Sequence, residues 1–167
     1  MEPLIDARSG FWALVILPEY LQSEMVHATV KLAGSGDVSV AVCNNPELGH
    51  ILQQIEEDER YQTAGKINLR QPLNCLELAG FLEWMHPTKD PILLLDFLGV
   101  FQDRTLTLKA RQAVLKNCIK QLEILSFRSR VVVSVSPIED PNSDVQSLME
   151  ILQQSAPDVR TEIPIYL

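Results

Sequence analysis

Short apolar runs rich in β-branched residues alternate with amphipathic stretches along this chain, and that alternation limits what it can fold into. FWALVIL, VSVAVC, PILLLDF and RVVVSVS are strand-sized and apolar on consecutive residues. A strand with one wet face would alternate apolar and polar residues, so these runs must be covered on both faces. Helical patterns separate them, and strand–helix–strand alternation gives a mostly parallel sheet with helices on both sides. The expected fold class is therefore α/β, with three layers. The length of 167 residues suits one domain spanning residues 1–167.

The individual elements follow from periodicity and punctuation. Phe11–Leu17 reads as a buried strand stopped by Pro18, and Leu21–Ala33 as a helix ended by Gly34-Ser35-Gly36. Val38–Cys43 is a strand, and Asn44-Asn45-Pro46 opens a helix with a stripe at Leu48, Ile51, Leu52 and Ile55. Lys66–Leu69 is a short strand, and Asn74 caps a helix over Leu76–Met85. Pro91–Phe97 is the strongest strand. A loop, Leu98–Thr105, leads into a long helix ending near Phe127, with its seam at Leu115, Cys118, Ile119, Leu122 and Leu125. Arg130–Ser136 is a further strand. Ser143 or Asp144 caps a helix over Val145–Ser155, and Thr161–Leu167 closes the chain as a strand whose Pro164 demands an edge.

Composition narrows the function classes. No apolar run reaches the ~20 residues that span a bilayer, and MEPLIDARSG lacks the basic-then-apolar order of a secretion signal. The three cysteines, Cys43, Cys75 and Cys118, are widely spaced and odd in number. A reducing intracellular location, cytoplasmic or nuclear, fits them, with no membrane partner. His27, His50 and His86 form no metal or triad spacing, so no metal site is expected. Ser134 lacks the elbow glycines of a nucleophilic serine.

The net charge of −8 is unevenly spread. Residues 104–130 carry Arg104, Lys109, Arg111, Lys116, Lys120, Arg128 and Arg130 against Glu123, a balance of 7 − 1 = +6 that leaves −8 − 6 = −14 for the rest. These cations are candidate contacts for nucleic acid or an acidic partner, and the plainer account is a solvated helix face. Phe97, Leu98, Val100 and Phe101 surround Gly99 after a strand. They form either an interface patch or core beneath the long helix.

One constellation has a specific shape. In PILLLDFLGVFQD an apolar strand ends in Asp96, then come a loop, a long helix and the strand VVVSVS. This resembles the Walker-B half of a RecA-like ATPase, and CIKQLEILSFRSRVVVSVSP is similar to the helix and sensor strand of RecA, KaiC and the recombinase paralogs. The resemblance covers residues 66–137, with matching element order before it. In that family the strand's aspartate helps hold magnesium beside the nucleotide phosphates. The first strand departs from the pattern. A phosphate-binding loop needs G-x-x-x-x-G-K-[ST], whose amides wrap the phosphates and whose lysine reaches them. Here the strand leads into PEYLQSEMV, with no glycine between Phe11 and Ala33 and no lysine before Lys31.

The resemblance thus implies a RecA-like fold, a vestigial Asp96, no cofactor and no catalytic residue. The implied role is a non-catalytic subunit, structural or regulatory, paired with another RecA-like protein in DNA recombination or repair, with DNA as a further contact. Two rivals stand beside it. One is an enzyme on a doubly wound fold that binds a small ligand where Asp96, Asn44 and Ser136 converge. The other is a pseudo-ATPase scaffold outside DNA metabolism.

Overall fold

A computed structural model describes residues 12–58, 66–85, 88–140 and 143–162. Its strands are β1 (Trp12–Ile16), β2 (Val38–Val42), β3 (Ile67–Arg70), β4 (Ile92–Leu95), β5 (Val131–Val135) and β6 (Asp158–Arg160). They form one six-stranded, all-parallel sheet in the order β3-β2-β4-β5-β1-β6. The helices are α1 (Ser23–Ala33), α2 (Pro46–Glu57), α3 (Cys75–Trp84), α4 (Leu108–Ser126) and α5 (Asp144–Ser155).

Strand order decides which helix covers which face. The connections β1→β2 and β2→β3 step one way along the sheet, and the next three step the other way. Crossovers between parallel strands are right-handed, so opposite steps put their helices on opposite faces. Accordingly α1 packs on α2, while α3, α4 and α5 pack side by side on the other face. Consecutive strand residues then feed two cores. Val40, Val42, Leu93 and Leu95 join the α1–α2 core, and Ala41, Cys43, Ile92 and Leu94 join the α3–α5 core. This two-sided burial is why the strands are continuously apolar.

The helix starts carry the capping chemistry their sequences suggest. Asn45 accepts from the Leu48 amide at 3.2 Å, Asn74 from Glu77 at 2.9 Å and Thr107 from Ala110 at 3.1 Å. Each bond satisfies an amide that the first helical turn leaves without a partner. Ser143 occupies the cap position of α5, but its hydroxyl donates instead to the Asp140 carbonyl.

Three expected elements differ. A 3₁₀ turn at Glu19–Leu21 precedes α1, because Leu21 and Gln22 bond back to Pro18 and Glu19. The expected loop after β4 is a buried 3₁₀ turn over Phe97–Phe101. The last described strand, Asp158–Arg160, lies before the expected Thr161–Leu167. Thr161 and Glu162 have left the sheet, and residues 163–167, with Pro164, are outside the described residues, as is Phe11. No helix among the described residues is long and apolar enough to cross a membrane.

Candidate functional site

In an open parallel sheet, ligand crevices form at the carboxyl ends of neighbouring strands whose connections leave to opposite faces. This sheet has three such places. One lies between β2 and β3, followed by α2 and α3; the two that gather polar side chains lie between β1 and β5, followed by α1 and α5, and between β2 and β4, followed by α2 and α4.

Gln22 fills the β1–β5 crevice. It is 2% exposed, and its Nε2 donates to the carbonyls of Leu17 at 2.9 Å and Val135 at 3.1 Å. Its Oε1 accepts from the Ser134 hydroxyl at 3.1 Å. Both amide hydrogens and the amide oxygen are thereby engaged with strand ends on either side of the crevice. The Leu17 amide is also used, donating to the Val135 carbonyl at 2.9 Å.

Asp96 dominates the β2–β4 crevice. It sits in left-handed backbone with φ 53°, as does Asn44 at the end of β2. Asn and Asp adopt this region more readily than other side-chain-bearing residues. Gly99 allows the close packing here, since a Cβ on it would lie 2.4 Å from the Cys43 carbonyl oxygen. Asn45 Nδ2 donates to Asp96 Oδ2 at 3.1 Å while its Oδ1 caps α2. The Asp96 amide donates to Ser134 Oγ at 3.1 Å. Burial pushes the Asp96 carboxyl above its ordinary value; the Asn45 bond opposes this, and the nearby charge of Glu19 adds to it.

Ser134 therefore joins these two crevices, accepting from Asp96 and donating to Gln22. Above them opens a cleft of about 980 Å³ whose walls include Tyr20, Asn45, Ile138 and Ser136. Its acidic lining is Glu19, Glu47, Glu139 and Asp140, and no lysine or arginine lines it among the described residues.

The expected convergence of Asp96, Asn44 and Ser136 is shifted by one residue after β2 and by two on β5. Asp96 meets Asn45 and Ser134, whereas the Asn44 amide donates to the Pro72 carbonyl and Ser136 lines the cleft. Gln22 was not singled out by its sequence context, because a glutamine beside Ser23 and Glu24 reads as an ordinary solvated helix start.

The other predicted residues fall apart into different roles. Phe97, Leu98, Val100 and Phe101 are buried, with the Phe97 and Phe101 rings 5.5 Å apart. They are core under the helical layer and present no surface patch. Arg111 leaves the basic surface too: it is 3% exposed, donates to the Phe101 carbonyl at 3.1 Å and pairs with Asp144 at 2.7 Å. Arg104, Lys109, Lys116, Lys120 and Arg128 are exposed, and Arg130 is half-buried. Trp12 is core, but Trp84 is 83% exposed.

Cys43, Cys75 and Cys118, distant in sequence, are free, buried and in the same core. Burial raises all three thiols, Cys118 to about 12, so they are held neutral. His86 lies outside the described residues, and His27 and His50 are exposed. Among the described residues no group of three His, Cys, Asp or Glu is placed to hold a metal ion.

No protein-family model matches the chain, and a search of the curated proteins finds no match.

Proposed function

We propose that this chain is a non-catalytic subunit of RecA-like build, acting as a structural or regulatory partner in a protein complex. The carrying observation is Gln22. It occupies the crevice after β1, where a phosphate loop would hold nucleotide, and its amide is bonded to both flanking strand ends. Three further features support the reading. The strand bearing Asp96 is separated from β1 only by β5, so the two strand ends could serve one nucleotide. The Leu21 and Gln22 amides are turned back onto Pro18 and Glu19, away from any anion. The surrounding cleft is lined by acids, which repel phosphate. On this reading Asp96 is a strand-end residue, a vestige of the metal-holding position. Recombination or repair is the setting that the resemblance suggests.

A thermal-shift titration with magnesium and ATP tests the central point. A ligand at 100 times its Kd stabilises the native state by ~2.7 kcal/mol, which raises the Tm of a chain this size by roughly 5–10 °C. The expected result is an unchanged Tm, together with stoichiometric co-purification of a RecA-like protein from native cells. An ATP-dependent rise overturns the reading, and so does a chain that returns without a partner.

The cleft favours a second reading, a ligand-binding enzyme of another kind. Its acidic rim, with Asn45 and Ser136, would select a neutral or cationic small molecule. Stabilisation by such compounds, without any response to ATP, would favour it.

A further inference from the structure

The outer face of α3 is unusual. A helix in a surface layer ordinarily buries one stripe and shows water a polar one. In CLELAGFLEW the buried side is Cys75, Leu78, Ala79 and Leu82, yet the outer side carries Leu76 and Trp84 on the same stripe as Gly80. Leu73, just before the helix, extends that stripe. Leu73 is 67% exposed, Leu76 57% and Trp84 83%. Gly80 sits between Leu76 and Trp84, and a Cβ there would meet nothing within 4 Å. Glycine inside a helix costs about 1 kcal/mol relative to alanine. No neighbour among the described residues requires it, so the notch is open to something that approaches from outside.

Charge identifies what approaches. The exposed acids of α3 are Glu77 and Glu83, and the helix has no cation. α4 lies beside it, with Asn117 donating to Glu83 at 2.9 Å. The exposed side of α4 carries Lys109, Lys116 and Lys120 against one acid, Glu123, and then the apolar Ile124, with Phe127 exposed just after the helix. An acidic–apolar helix beside a basic one is a self-complementary surface. A two-fold rotation that lays α3 over α4 of a second copy brings each set of carboxylates to the other copy's lysines. Such self-matching is what an isologous interface requires. At 1.5 Å per residue α3 is ~15 Å long and α4 ~28 Å. With helix axes ~9 Å apart, the shared face is roughly 400–500 Å² in projection, below the ~800 Å² per partner of a standard interface, so a weak, salt-sensitive dimer is expected.

We infer that the outer face of α3 and α4 is a docking surface for a second copy of this chain, forming a two-fold dimer with Gly80 at the point of closest approach. This inference does not rest on the functional reading above.

Sedimentation equilibrium of the purified full chain tests it. The wild type is expected to be a dimer that weakens with salt. Iodide quenching of Trp84 should fall as the chain associates. Trp84→Glu should yield a monomer with unchanged circular dichroism. Lys116→Glu with Lys120→Glu should weaken dimerisation at least tenfold, and adding Glu77→Lys with Glu83→Lys should restore it. A monomeric wild type overturns the inference, including when an unrelated protein occupies the face. A dimer indifferent to Trp84→Glu, an assembly larger than two, or charge swaps without rescue overturns it as well.

Discussion

The β1–β5 and β2–β4 crevices have the same origin and opposite contents. Each lies between strands whose helices leave to opposite faces. The crevice between β1 and β5 is closed by an uncharged side chain with all its hydrogen bonds made. The crevice between β2 and β4 holds a carboxylate in left-handed backbone, with burial raising its pKa. Topology creates a place for chemistry, and side chains decide whether that place is occupied from within. In P-loop proteins the first crevice would be the busier one; here the second keeps the titratable group.

Four substitutions bear on this contrast. Gln22→Glu should have the largest effect, because a carboxylate would face the Leu17 and Val135 carbonyl oxygens without donors. A loss of ~3–5 kcal/mol is expected in urea unfolding, as for an uncompensated buried charge. A near-neutral result would mean that the crevice is open to water. Gly99→Ala strikes the other crevice, where the new methyl collides with the Cys43 carbonyl. A backbone neighbour cannot swing aside, so a loss of ~1–3 kcal/mol is expected.

Ser134→Ala tests the link between the crevices. It leaves the Asp96 amide and Gln22 Oε1 without their partner, at a cost of ~1–3 kcal/mol. Combined with Gln22→Ala, the losses should fall short of additivity by at least ~0.5 kcal/mol, as expected for residues in one network. Additive losses would make the crevices independent. Asp96→Asn should be the mildest. Burial makes the folded chain hold the Asp96 proton more tightly than the unfolded chain does. Ionisation of Asp96 therefore disfavours the fold, and stability rises as pH falls through the folded pKa towards the ordinary 3.8. The neutral amide introduced by Asp96→Asn would keep the acceptor for Asn45, raise Tm by a few degrees at neutral pH and flatten this part of the pH profile.

The fold was legible because its signals are summed over many residues. Val131–Val135 is apolar on nearly every residue, which only two-sided burial explains, and Asn45 and Asn74 mark helix starts by local geometry. The site was less legible because it depends on single contacts across long separations. Gln22 and Ser134 are 112 residues apart, and nothing local marks a glutamine that turns inward. Phe97–Phe101 illustrates the same limit. A buried 3₁₀ turn and an exposed apolar loop have the same composition, and only the helical layer above distinguishes them. Asp96 was found by its place at the end of an apolar strand, whereas its partners each lay one or two residues from those expected.

The pairing of β1 also has a consequence for how the protein is made. Trp12 is opposite Val131, and Ala13 is opposite Asp158, so the first described strand pairs only with two of the last. At ~5–20 residues per second, the ribosome needs roughly 6–24 s to get from Trp12 to Val131. Throughout that interval a fully apolar strand has no place in the sheet. The position of β1 between β5 and β6 in the finished structure makes the nascent chain dependent on its own tail, and it exposes Trp12–Ile16 to chaperones before the core can close.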